Sequence, residues 1–186
     1  MEWCKEVSVK ILGGLLILSS TMFIACASTS KVFPLSAMVG VDRAFDFAGW
    51  RMTPNEAINK KVQLGGQIVE AQLAGDSVSI VVSHLPIVDR PAYGPRDMGQ
   101  DNGQFVVLYP GRIGTPFLQP GNRIMIVGRT GPMKTTSVRG FLKSLPTMEA
   151  ECVHVWATGG RQIEDFPHMP TGYMTLDEET ACAKNQ

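Results

Sequence analysis

The side chains able to do chemistry are few and scattered. Cys152 and His154 stand two apart, so a strand there puts both on one face. With His84 or His168 they have the residue types of a metal site. Trp156 falls on the same face, which suits packing better than a hydrated ion, and no metal is expected. Hydrolysis needs a nucleophile beside a base and an orienting group. Serines are common, but none lies in a Gly-x-Ser-x-Gly context. Carboxylates pair at Glu149/Glu151, facing solvent from a strand, and at Asp177/Glu178/Glu179, in a solvated tail. No catalytic residue and no enzyme activity is therefore expected. Among recognition residues, Asp89, Arg90, Tyr93, Arg96 and Asp97 mix charge with a phenol in one segment, a plausible surface for a ligand or partner. The plainer reading, a mobile polar loop whose charges offset each other, is favoured. Lys134, Arg139 and Lys143 could meet phosphate or lipopolysaccharide. Three spaced cations with only Phe141 among them are too few for a nucleic-acid groove, so no nucleic acid is expected.

Positioning these residues falls to an all-β domain. The chain has 186 residues, enough for one domain with tails, and 17 basic against 17 acidic side chains. A neutral chain has no global pull on polyanions. Glycine and proline punctuate short runs of Val, Ile and Leu. Thr53, Pro54 and Glu56 form a capping box and predict one short helix, Pro54 to Lys60. Residues 61–73 form the first strand, with Val62, Leu64 and Ile68 on one face and Val69, Ala71 and Leu73 on the other. Gly65 and Gly66 mark a bend in it. After a turn at 74–76, Asp76 to His84 is the second strand; 85–103, with three prolines and three glycines, is a loop. Gln104 to Tyr109, Arg123 to Arg129 and Thr147 to Ala157 complete five strands, with a further loop over 130–146. A bent first strand in a set of five predicts a small barrel of the oligonucleotide/oligosaccharide-binding type; a β-sandwich is the alternative.

The N-terminus reads as an export signal. Lys5 and Lys10 precede an uncharged stretch, residues 11–25, followed by small residues. At about 1.5 Å per residue that stretch is shorter than the roughly 30 Å hydrocarbon core of a bilayer. Phe23-Ile24-Ala25-Cys26 resembles the lipobox of bacterial lipoproteins, with Phe23 where leucine is usual. The resemblance implies cleavage before Cys26, lipid on its sulfur and three acyl chains in all. Ala27 and Ser28, with no Asp behind the cysteine, imply delivery to the outer membrane. The expected cofactors are none beyond that covalent lipid. In an oxidising compartment Cys152 and Cys182 can pair, or Cys152 can be a plain buried thiol; the sequence leaves both open.

Three segments, Val62-Gln-Leu-Gly-Gly-Gln-Ile-Val69, Phe117-Leu-Gln-Pro-Gly-Asn-Arg-Ile-Met-Ile-Val-Gly128 and Val153-His-Val-Trp156, resemble the Slp family of outer-membrane lipoproteins, some of them induced by starvation. The resemblance runs from about Phe45 to Trp156. It implies a compact β domain on a lipid anchor and supplies no catalytic residue. The expected organisation is a signal peptide over 1–25, a lipidated tether over 26–44, a barrel over 45–157 and a loose polar tail over 158–186. The expected role is non-catalytic: structural, interacting with envelope proteins or glycans, or stress-related. A module binding saccharide or a lipid headgroup near loop 85–103 is the alternative, and an envelope hydrolase a weaker one.

Overall fold

The computed structural model describes residues 32–88, 94–99, 103–162, 168–169 and 172–183. The fold starts from an antiparallel hairpin of β1 (Lys61–Ala74) and β2 (Ser77–His84). Val62, Leu64 and Ile68 of β1 point into the core, as their spacing requires. The expected bend at Gly65–Gly66 lies further along. The ladder slips between Ile68 and Glu70, leaving Val69 as an extra residue. Val69 turns outward, and Ala71 returns to the core beside Ile80 instead of following Val69. Gly66 has another purpose. A Cβ there would lie 2.3 Å from a Val82 methyl and 2.4 Å from the Ser83 carbonyl, so only glycine lets the strands approach.

β2 pairs with β3 (Gln104–Tyr109), and β1 pairs on its other side with β4 (Arg123–Val138). β4 pairs with β5 (Phe141–Trp156), and a parallel stretch between Val106–Leu108 and Thr147–Glu149 joins β3 to β5. The pairing closes into a ring of five strands around Ile80, Val82, Phe105, Val107, Ile124, Ile126 and Met148. Burying each such side chain contributes about 1.5–3 kcal/mol. This is the all-β class expected from the sequence.

Three expectations change. The segment 130–146 is not a loop. β4 and β5 run on as a hairpin arm, joined by Arg139 and Gly140, both at positive φ (51° and 83°), as a two-residue turn of the type that matches strand twist requires. Gly131 and Pro132, the breakers in the sequence, lie in a ladder slip between Thr130 and Met133, where a missing N–H removes no ladder bond; the Pro132 carbonyl accepts from the Thr147 hydroxyl at 2.7 Å. The arm carries Val138 and Leu145 onto Val81 and Val106, a second apolar layer outside the ring.

The predicted helix at Pro54–Lys60 is a single 3₁₀ turn, Pro54–Glu56, with no side-chain cap from Thr53. The helix proper precedes it. α1 spans Leu35–Met38, and α2 spans Phe47–Met52, with Phe47 and Trp50, three apart on one face, both buried.

The ends are also more ordered than expected. Phe33, within the segment read as tether, is 3% exposed and packs on Met125, Val127, Cys152 and Trp156. The Asp42 amide donates to the Lys61 carbonyl at 2.8 Å. In the segment read as a loose tail, β6 (His168–Met169) pairs with β7 (Gly172–Tyr173), and β8 (Glu178–Cys182) pairs antiparallel with β5. Cys152 and Cys182 face each other in that ladder and form a disulfide. Arg123 adds a polar tie. Its guanidinium, 1% exposed, donates to the Pro95 carbonyl and, at 2.7 Å, to Gln162.

Candidate functional site

A groove of about 840 Å³ opens beside the end of β2. Its walls come from α1 and α2 and the chain before them, from Gln63–Gly65 of β1, from Met125 of β4, and from Ile87 and Val88 just past β2. Local sequence explains its shape. A Cβ on Gly65 would lie 2.5 Å from Pro95 and 2.8 Å from Ile87, so glycine lets the loop cross the strand, and the Leu85 amide donates to the Gly65 carbonyl at 3.0 Å. Gly103, at φ +85°, leaves room for the Arg51 side chain.

The groove floor is a stack. The Phe47 and His84 rings lie 3.9 Å apart, tilted by only 6°. Phe47 also meets Phe105 and Trp50 edge-on at 5.6 and 5.8 Å, which couples the floor to the core. The His84 Nδ1 is buried and has no hydrogen-bond partner among the described residues. Burial pushes its pKa down to about 4, because a desolvated imidazole resists charging. At neutral pH it is an uncharged polar ring facing the groove. Arg43, Asp46 and Arg51 supply the charge around it and Gln63 a further polar group, in a mixed lining that includes Phe33, Leu64 and Met125.

The depressed His84 value has a stability consequence. The unfolded chain binds the proton near pH 6.5 and the folded chain only near pH 4, so falling pH favours unfolding across that window and no further below it. The urea midpoint is expected to hold above about pH 6.5 and fall toward pH 4, and His84→Gln to flatten part of that fall. An unchanged pH profile in the variant would remove His84 from the account. Part of the fall should remain in that variant, because burial also lowers the pKa of His154, opposed by Glu178.

The residues singled out in the sequence scatter. Cys26, Asp89, Arg90 and Tyr93 lie outside the described residues. Arg96 is half-buried, donates its amide to the Pro86 carbonyl at 3.1 Å, and has its buried Nε without a hydrogen-bond partner; it does not line the groove. Asp97 is exposed and accepts from the Gly99 amide at 2.8 Å, a local turn contact. Glu149 is exposed, as expected, whereas Glu151 is the extra residue of a ladder slip and takes ion pairs from Lys61 (2.7 Å) and Arg129 (3.3 Å). Sequence reading missed the groove itself. Its signal was present in Phe45-x-Phe47-x-x-Trp50, an aromatic cluster next to a segment too small and polar to be credited with a fold.

Cys152 and His154 do share an outer face with Trp156, and Phe33 packs there too. Cys152 is spent in the disulfide, so its sulfur is no thiolate ligand. Among the described residues no three His, Cys, Asp or Glu side chains gather around a metal-sized space. His154, 4% exposed, shares a 2.6 Å hydrogen bond between its Nδ1 and the Thr180 hydroxyl, and its Nε2 lies 3.5 Å from a Glu178 oxygen. A hydroxyl, an imidazole and a carboxylate are the parts of a hydrolytic relay. Here both partners belong to β8, and the ring lies edge-on to Phe33 and Trp156. The contacts hold β8 to the ring of strands.

A closed β ring with its N-terminal segment packed on the outside, downstream of a lipobox-like cysteine, fits a class: small all-β envelope lipoproteins. Residues 23–180 match the outer membrane lipoprotein Slp family, and the chain belongs to it. It is accordingly a lipid-anchored protein of the outer membrane. The match begins at Phe23, within the cysteine motif, and ends at Thr180 in β8, so it takes in both ends that the narrower sequence resemblance left out. No curated protein and no solved structure matches the chain. Among the described residues no helix is long and apolar enough to cross a membrane.

Proposed function

We propose that this lipoprotein is held by lipid on Cys26 and acts without catalysis, by binding an amphiphile with an anionic head in the groove over the Phe47–His84 stack. The groove carries the reading. Ligand sites are concave, mostly apolar and furnished with a few polar groups that set orientation. Leu35 and Ile87 offer an exposed apolar surface, and Arg43 and Arg51 offer guanidinium forks suited to phosphate or carboxylate. Placement supports the class of ligand. Five residues separate Cys26 from Val32, the first described residue of the groove wall. At most about 3.5 Å per residue, the wall begins within roughly 20 Å of the anchor. A groove held so near a bilayer meets lipid headgroups at high local concentration.

Titration of the mature chain with lysophosphatidylglycerol, followed by calorimetry below the micellar concentration, tests this. Saturable one-to-one binding is expected, weakened at least about tenfold in Arg43→Gln/Arg51→Gln, since each charge-assisted bond contributes roughly 1.5 kcal/mol or more. Non-saturable uptake, or equal binding by the variant, would overturn the proposal.

A further inference from the structure

At the far end of the hairpin arm, Phe141 and Leu142 are 73% and 80% exposed. They directly follow the Arg139–Gly140 turn, and neighbouring strand positions point to opposite faces, so both sides of the ribbon are apolar at its tip. Cations lie beside them on one face of the arm: Lys143 stands opposite Thr136 and Lys134 opposite Leu145, on the face of Phe141, while Leu142 shares its face with Ser137, Thr135 and Ser144. Arg139, Lys143 and Lys134 are exposed, with Thr135, Thr136 and Ser137 the neutral residues between. Lys143 donates to the neutral Gln104 side chain at 3.2 Å. Among the described residues Glu70 is the acid that reaches the tip, and its carboxylate accepts the Arg139 amide at 2.8 Å, so it fixes the turn while offsetting one of three charges. The arm is not loose: Val138 and Leu145 clamp it to Val81 and Val106. Two bulky apolar side chains on a rigid point, with Arg139 at the turn and Lys143 and Lys134 behind them on one face, complement a surface that is anionic outside and greasy beneath.

We propose that this tip inserts Phe141 and Leu142 into an anionic lipid bilayer, with Lys134, Arg139 and Lys143 meeting the phosphates. Phe33 packs beside Cys152 and Trp156, more than ten residues along β5 from the tip, roughly 35 Å of strand.

The test uses the mature chain with Cys26→Ala, so that an acyl anchor contributes nothing and failure here is separable from failure of the anchor. Binding to vesicles of phosphatidylcholine alone is compared with vesicles containing one third phosphatidylglycerol, at low and high salt. The protein is expected to sediment with the anionic vesicles only, and to be released by salt. Phe141→Ser/Leu142→Ser should lose at least tenfold in affinity while keeping its thermal midpoint and its disulfide, because both positions are exposed. Lys134→Gln/Lys143→Gln should bind more weakly with a shallower salt dependence. Phe141→Trp should shift its emission to the blue on anionic vesicles. No preference for anionic vesicles, wild-type binding by the double serine variant, or an unshifted tryptophan would overturn the proposal.

Discussion

Cys26→Ala is expected to move the protein from the membrane fraction to the soluble periplasmic fraction and to abolish palmitate incorporation. Each buried methylene of an acyl chain contributes about 0.8 kcal/mol, and one chain alone gives only marginal attachment, with an association constant near 10⁴ M⁻¹. Two or more chains make release negligible. The variant has none, and the contacts proposed for the groove and for the exposed Phe141–Leu142 tip would be weak and salt-sensitive. Fractionation in moderate salt should show at least about a tenfold change in the membrane-to-soluble ratio. The fold should not change, because the described packing starts downstream, at Val32 and Phe33. Retention of the variant on the membrane in high salt would mean that something other than this cysteine holds the protein.

The second large effect concerns Cys152 and Cys182. Replacing both by alanine is expected to lower stability by about 3.6 kcal/mol, the loop-closure contribution for a bridge joining positions 30 apart. For a chain of this size that is a fall of roughly 10 °C in thermal midpoint. The loss falls on one element. β8 has a largely exposed burial pattern and adds to β5 outside the ring. Without the bridge it keeps a short ladder, the His154–Thr180 bond, the long His154–Glu178 contact, the Gly114 amide donating to Glu179 and the packing of Ala181 on the core. Its amides should exchange with solvent far faster than those of β1 or β4, whose partners close the ring. Cys182 is exposed, so dithiothreitol should reproduce the variant's behaviour in wild type. A midpoint unmoved by either treatment would show that β8 is held by its ladder alone.

Strand alternation was readable wherever it met no interruption. Gln104–Tyr109 is bounded as its residues imply, and β1 and β2 differ from expectation by a residue at an end. Ladder slips defeated the pattern elsewhere. Val69 shifts the face of Ala71 by one position, a change that period-two counting across a uniform strand misplaces. Gly131 and Pro132 look like the end of β4, yet the slip against Thr147 absorbs both and the strand continues to Val138. The glycines at 65 and 66 were read as a bend, whereas their use is close approach, to Ile87 and Pro95 in one case and to Val82 and Ser83 in the other.

The site was harder to read because its walls come from distant parts of the chain. His84 was noticed as a possible metal ligand, but its partner is the Phe47 ring, 37 positions away and on a helix that the composition of 47–52 does not advertise. The charged loop residues drew attention because they are chemically distinctive. Of the two that the structure describes, Asp97 closes a local turn and Arg96 packs beneath the loop. Among the described residues, the loop's contribution to the groove is apolar, through Ile87 and Val88. Both ends of the chain were underestimated for one reason. Phe33 and Cys182 complete the outer side of β4 and β5, and a single buried ring or one sulfur bridge is enough to order a segment whose average composition is polar.

In the proposed arrangement, an anchor at Cys26 would bring the groove and the arm tip to a membrane. Intact-mass and N-terminal peptide spectrometry of the protein extracted from outer membranes tests it directly. The account predicts a chain that begins at residue 26, with a diacylglycerol thioether and a third acyl group adding to its mass. A chain that still begins at Met1, or one that carries an unmodified Cys26, would contradict it.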